Sequence, residues 1–466
     1  MMLLPPSIEE YVKPEDPVRA YDAFVESLNF EELGIRFEPE KAGRPNYDPK
    51  AMLKLYLYGC SYGWRSSRKL ERAIHHNLSF IWLMGGLKPD HKTISEFRRK
   101  NKATLKRVFK QCAHLCVKLG LIEGNTLFVD GTKIRANASI KNTWDNKRCQ
   151  RALSDIDSRI EEILSECEKT DIKEENRQSL VKMREELKDK ETLKAKVEQI
   201  LKELNGTDKK TINATDADCG RMSSIHGIHC SYNVQKVVDE KHGLIVNTDV
   251  VSENNDLKQF AKQIKQANEI LDKKCQTACA DAGYANTDEL EKIDKQNIKV
   301  IVPTKEQVSK KESKPFSKKQ FQYDFETDSY TCPQGQQLIY RHTQKDKGNR
   351  VYRIREQSIC RQCRFYRDCT NSRDGRTIYR LPNEEIKHKL EQQYNTDESQ
   401  QIYHLRKCKV ELPFGHIKRN LGVSSFLTRG LQGVNAELSI LACCFNITRM
   451  ITIFKGAPAL ITKLTG

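Results

Sequence analysis

Three acidic residues, far apart in the chain, have the types and settings that could do chemistry. Asp130 ends the apolar run Thr126-Leu-Phe-Val, Asp281 lies in Ala278-Cys-Ala-Asp-Ala-Gly-Tyr284, and Glu411 lies in Val410-Glu-Leu-Pro-Phe-Gly-His-Ile-Lys418. Two carboxylates at strand ends and a third on a late helical segment suit a two-metal phosphoryl-transfer site. Hard divalent cations take oxygen ligands and few protein atoms. A metal pair clamps the attacking and leaving oxygens of an in-line displacement. A lone Asp after a strand is ordinarily a turn former; the combination carries the signal, because clustered carboxylates repel unless a cation sits between them. Asp249 also lies on a strand, and is set aside because it sits inside the strand and not at its exit.

Basic residues surround the third acid. Arg406 and Lys407 lie five and four residues before Glu411, and Lys418 lies seven after. On a helix these positions fall near one face, and there they would hold the phosphates of a DNA end. Pro413 removes a helical hydrogen bond and predicts a kink or a helix restart just after Glu411.

A second candidate is a set of four cysteines. Cys360 and Cys363 form one Cys-x2-Cys pair, Cys369 follows, and Cys332 precedes the turn Pro333-Gln-Gly335. Four thiolates suit one tetrahedral Zn²⁺, here structural, because a small polar segment needs a staple to fold. Free thiols are the alternative. The remaining cysteines of the 16 are mostly single or in apolar settings, which suits buried thiols in a reducing compartment.

The elements that must carry these groups begin with an all-α region, residues 1–122. Asp48-Pro49 opens one helix, Ser66 to Ile74 forms a second, and a third runs from Asp90 towards Leu119. Arg98 and Arg99 on the third suit a helix-turn-helix-like DNA contact; solvated surface charge is the plain alternative. Strands begin at Leu127, with Val129-Asp130-Gly131 leaving the first at a turn. Residues 145–210 hold charged helices with a narrow apolar stripe, expected as an antiparallel hairpin or an intersubunit coiled coil. A hairpin of strands, 232–238 and 244–251, turns at Asp239–Gly243. A helix from Asp256 to Leu271, a strand 277–280, a helix 288–295 and a strand 298–303 follow. Residues 304–395 are a polar, cysteine-bearing interruption, and helix resumes near Asp397.

Lys+Arg total 80 against 63 Asp+Glu, a net charge of +17 over 466 residues. Such a balance favours a polyanionic partner, since neutralising phosphates releases counterions. The chain is 38% hydrophobic and 31% charged, expected of an ordered protein with long polar faces. The start, Met1-Met-Leu-Leu-Pro-Pro6, lacks the features of a signal peptide. Leu438–Phe454 is apolar but carries Asn446, Thr448 and Arg449, and is expected as a packed helix with no membrane span.

Six stretches, in order, resemble bacterial insertion-sequence transposases of the DDE class: Pro89 to Arg98, Val129 to Ala138, Gly227 to Gln235, Ala280 to Tyr284, Val410 to Lys418 and Arg429 to Glu437. The resemblance implies an α/β, ribonuclease H-like mixed sheet spanning 123–455, preceded by the helical domain 1–122 and followed by a tail, 456–466. The helical and cysteine-bearing segments would be insertions in it. It implies two Mg²⁺ or Mn²⁺ ions on Asp130, Asp281 and Glu411, which would activate water and then a freed 3′-hydroxyl. It also implies double-stranded DNA as partner, both terminal inverted repeats and target, with a homodimer in the synapse, in the bacterial cytoplasm at the nucleoid. Related enzymes carry a Tyr, Arg, Glu, Lys signature with Arg four residues before Glu. Here Lys407 holds that position and Arg406 is one further away. Tyr403, Arg406, Lys407, Lys418 and Arg419 are the expected DNA contacts around Glu411. A DNA-binding protein derived from such an enzyme, or a nuclease that only hydrolyses, are the alternative functions.

Overall fold

Helix starts in the N-terminal third are set by side chains that accept from otherwise orphaned amides. Asp16 accepts from Val18 N, Asp48 from Lys50 N and Asp90 from Thr93 N. Pro17 and Pro49 stand in the first turn, where a missing N–H costs nothing. The helices are α1 (Ile8–Tyr11), α2 (Pro17–Glu26), α3 (Phe30–Leu33), α4 (Pro49–Ser61), α5 (Ser67–His76), α6 (Leu78–Leu83), α7 (His91–Lys100) and α8 (Lys102–Lys118). The single helix expected from Asp90 to Leu119 is two. Asn101, at φ −102° and ψ 26°, leaves the helical region and separates α7 from α8.

This computed structural model describes residues 7–34, 47–171, 177–207, 209–224, 227–309, 315–346 and 348–465. The opening hexapeptide read above for a targeting signal lies outside them. Two compact units make up the chain: residues 1–256, 265–274 and 407–466 form the first, and 257–264 with 275–406 the second.

In the first unit β1 (Thr126–Arg135) continues well beyond Asp130. The expected exit at Gly131 does not occur, because residues 131–135 pair antiparallel with residues 231–235. β2 (Thr143–Trp144) precedes two long helices, α9 (Asn146–Asp171) and α10 (Arg177–Asn205), and β3 (Ile212–Asn213) pairs with β2. The two helices form the expected antiparallel hairpin. Cys149, Ile156, Val197, Ile200 and Leu204 share one apolar seam, and Arg159 bridges to Glu186 across it. β4 (Gly220–Ser224), β5 (Gly227–Asp239) and β6 (Ile245–Val251) complete the strands of this unit. β5 pairs with β1 on one edge and with β4 and β6 on the other. The meander β1–β5–β6 therefore forms, with the β5–β6 hairpin turning at Asp239–Gly243 as its two apolar strands predict.

The helix expected from Asp256 starts later, as α11 (Phe260–Leu271). In the second unit β7 (Thr277–Cys279), α12 (Thr287–Asp294) and β8 (Lys299–Ile301) form a strand–helix–strand motif with parallel strands. α13 (Lys305–Val308) follows. The segment read as a polar interruption then folds as an antiparallel sheet. Its strands are β9 (Gln322–Asp324), β10 (Ser329–Thr331), β11 (Gln337–Thr343) and β12 (Arg350–Ile354). After α14 (Gln357–Arg361) comes β13 (Thr377–Arg380), and the order is β13-β12-β11-β10-β9. Phe321, Tyr330, Leu338, Tyr352 and Ile378 pack as its core.

After α15 (Glu384–Tyr394), α16 runs from Asp397 to Gly415 with Pro413 inside it. No restart follows Glu411, because α16 continues through Pro413, and the helix widens to a π turn at His416–Asn420. α17 (Leu431–Ile453) is buried on nearly every side and packs on α4, α8 and β6. It is the one helix among the described residues long and apolar enough to cross a membrane, and 72% of that window is buried inside the protein. α18 (Ala457–Thr465) ends the chain's described part.

Candidate active site

Asp130 sits in the middle of β1, opposite Lys236 of β5. Residues directly opposite in an antiparallel pair project to the same face, so Asp130, Thr132 and Lys236 share one side of the sheet. The end of α16 and the π turn lie over that side. The ammonium of Lys236 donates to the carbonyl of Val410, the residue before Glu411, and lies 3.1 Å from the centre of the Phe414 ring. Lys418 donates to Thr132 Oγ1 at 2.6 Å. Protein packed around the Lys418 ammonium pushes its pKa below the usual lysine value, and the Asp130 carboxylate works against that shift. Asp130 and the turn bearing Glu411 are thus held on the same sheet face by two lysines.

The position of Asp249 follows from the same register. It is buried in β6 opposite Gln235, one residue out of phase with Lys236, so it points to the other face of the sheet from Asp130. Both acids lie inside strands. Asp249 is separated from Asp130 by its face, and not by the strand-exit criterion.

Beside Asp130 the first unit opens into a cleft of about 750 Å³, lined by Thr132, Lys133, Arg135, His229, Asp256 and Lys418 among others. Arg135 Nη2 meets His229 Nε2 at 3.1 Å, and Lys133 donates to the Ser223 carbonyl at 2.9 Å. Asp256 accepts from Asn233 and Gln235, at 2.8 and 2.6 Å. Such a wall, cationic with hydroxyl and amide groups between, suits a phosphate backbone.

In the second unit β7 ends at Cys279, one residue short of the expected strand, and Asp281 follows after Ala280. Its carboxylate caps the short helical turn Ala282–Tyr284 by accepting from Gly283 N at 2.8 Å. Tyr403 and Arg406 belong to its surroundings. The Arg406 guanidinium lies 5.5 Å from the centre of the Tyr403 ring, which packs edge-on against Tyr394 at 5.2 Å. Burial pushes the Tyr403 phenol above its usual pKa; Arg406 opposes the shift, and Tyr394 and Asp281 add to it. The phenol therefore stays a neutral hydrogen-bond donor at physiological pH.

The remaining expected contacts separate by environment. Lys407 and Arg419 are exposed. Arg98 is half-buried, donates to the Arg65 carbonyl at 3.1 Å and lies over the Tyr56 ring. Arg99 is exposed and paired with Glu96 through two of its nitrogens. Cys332, Cys360, Cys363 and Cys369 all line one small cavity in the second unit, about 40 Å³. Burial raises the Cys369 pKa, Arg376 opposes it, and the other three thiols push it further up. Among the described residues, no three His, Cys, Asp or Glu side chains are drawn close enough to form a ready ion-binding group.

Residues 6–100 match the family described as Transposase domain (DUF772), and residues 331–451 match the Transposase DDE domain. Both matches are to transposase domains, and together they support an insertion-sequence DDE transposase. No curated protein and no solved structure matches it. A transposase of this family binds DNA and normally uses divalent metals. The DDE match takes in all four cavity cysteines, Tyr403, Glu411 and most of α17, while Asp130 and Asp281 lie before it.

Several residues of the site are not assigned roles by the sequence alone. Lys236, in Tyr232-Asn-Val-Gln-Lys-Val-Val238, held one signal: a lysine within a strand flanked by Val234, Val237 and Val238 must find a partner if it is buried. Thr132, Arg135 and His229 lie in stretches that carry the family resemblance, but their individual roles, like that of Asp256, depend on pairing register and on residues distant in the chain.

Proposed function

We propose that this transposase cuts DNA at the terminal inverted repeats of its element and joins the freed 3′ end to target DNA, using a ribonuclease H-like core. Asp130, Asp281 and Glu411 would supply the carboxylates for Mg²⁺ or Mn²⁺. The donor set suits such ions, being all oxygen and set among lysines that offset carboxylate repulsion. When bound, a metal pair stabilises the charge that develops in an in-line displacement at phosphorus. The chain's own residues do the rest of the positioning. Lys418 and Lys407 would hold phosphates, Arg135 and Lys133 would track the backbone along the cleft, and Tyr403 would meet the DNA end with a neutral hydroxyl. The observation that carries the reading is the shared sheet face of the first unit, where Lys236 and Lys418 bind the turn bearing Glu411 against the strand bearing Asp130. The β1–β5–β6 meander and the parallel β7–α12–β8 motif, each within its own unit, support the ribonuclease H-like assignment.

Binding to duplexes that carry the repeats flanking the element, against scrambled duplexes, tests the recognition half. A preference for the flanking sequence is expected. Arg135→Ala should weaken both complexes, with the slope of log K against log salt shallower by about 0.9. Equal binding to both duplexes, unchanged in the variant, counts against the reading.

We also propose that the cavity cysteines hold one structural Zn²⁺. Support comes from the four cysteines that line one small cavity, a ligand type and number that suit tetrahedral zinc. Metal analysis of purified protein should find about one zinc per chain, lost in Cys363→Ser. A zinc-free, folded wild-type protein would remove this proposal.

A further inference from the structure

Lys236 is 2% exposed. A buried ammonium is costly unless it is paired, and this one is held by a backbone carbonyl and an aromatic face, both on the α16 turn that presents Glu411. Its own strand is β5, and the residue facing it across the ladder is Asp130. On its other side it faces Thr248 of β6. One side chain therefore links the strand partner of the first candidate metal ligand to the residue preceding the third.

We propose that Lys236 is a positioning residue for divalent metal: it fixes the Glu411 turn over the sheet face of Asp130, so that both carboxylates are in place before the ion arrives. This rests on the reading of Asp130 and Glu411 as metal ligands. The ammonium does two things that no apolar residue in a core strand could do. Its N–H groups set the height of the Val410 carbonyl above the sheet. Its charge offsets part of the repulsion between acids brought towards one another. Partners that orient metal ligands typically contribute about 10–100-fold to metal affinity or activity.

The test uses the full-length chain and Mn²⁺ as probe, with binding read by the paramagnetic signal of bound against free ion, and end cleavage as a second readout. Lys236→Met keeps the apolar stem and removes the donor and the charge; Lys236→Arg keeps both. Lys236→Met should raise half-saturating Mn²⁺ by about tenfold or more, in binding and in cleavage alike, with repeat-DNA affinity measured without metal unchanged. Lys236→Arg should recover most of that loss. Wild-type Mn²⁺ affinity in Lys236→Met overturns the proposal. So does equal impairment in Lys236→Arg, which would make the effect one of packing. If Lys236→Met cannot fold while Lys236→Arg folds and binds Mn²⁺ as wild type does, the ammonium serves folding and the proposal falls. Failure of the underlying reading looks different: Asp130→Ala would then bind Mn²⁺ and cut as wild type does, whatever the Lys236 variants do.

Discussion

Replacing Glu437 with alanine is expected to destabilise the protein by about 3–5 kcal/mol, among the largest losses any single change here should produce. Glu437 is 1% exposed on α17 and pairs with Arg65, itself 9% exposed, at 2.6 Å. The same carboxylate accepts from the amides of Leu427 and Thr428 and from the Thr428 hydroxyl. Arg65 donates in turn to the Ser425 carbonyl, and Phe426 N donates to the Arg135 carbonyl at the end of β1. Truncation would leave a buried guanidinium without its counter-charge and two amides without acceptors. It would also release the 425–428 loop, which joins the helical N-terminal region to the cleft strand. Glu437→Gln keeps an acceptor and the shape, so its loss should be clearly smaller. Chemical denaturation monitored by far-UV circular dichroism measures both. A loss below about 1 kcal/mol for Glu437→Ala would mean that the pair is no more than a surface-type contact.

The second large effect concerns chemistry and not folding. Asp130→Asn and Glu411→Gln should each lower DNA-end cleavage on the order of a thousandfold or more, about 4 kcal/mol of barrier. Each is close to isosteric, so denaturation midpoints and repeat-DNA affinity should stay near wild type. Single-turnover cleavage in saturating Mg²⁺ measures the loss. Activity within about tenfold of wild type for either variant would remove that residue from the metal-binding set.

The parts of the fold legible in the sequence were those fixed by local rules. Asp48-Pro49 and Asp90 announce helix starts because a carboxylate meets a free amide two or three residues on. The β5–β6 hairpin shows itself as two apolar strands around Asp239–Gly243, and α17 by an apolar surface too wide for anything but a core. The antiparallel sheet β9–β13 did not show itself. Its strands are three to seven residues long, too short for a period-2 signal to emerge. They are held by cross-strand tyrosine contacts, such as Tyr330 with Tyr352 at 5.1 Å, that only pairing creates. Glycine after Asp130 looked like an exit, but Gly131 pairs with Gln235 and the ladder continues. Pro413 looked like a break, yet the irregularity appears later, as the π turn that brings Lys418 to Thr132. At the site, residue types were legible and partners were not. Arg65 and Glu437 are 372 residues apart, and no local pattern joins them.

The central proposal is that Asp130, Asp281 and Glu411 serve one reaction. Cleavage of a DNA fragment bearing the flanking repeats, with Mg²⁺ or Mn²⁺ and purified full-length protein, compares wild type with Asp281→Ala. Cuts at the repeat ends by the wild type, and none by a folded Asp281→Ala that still binds the same fragment, is the predicted result. Equal cutting by both proteins would contradict it.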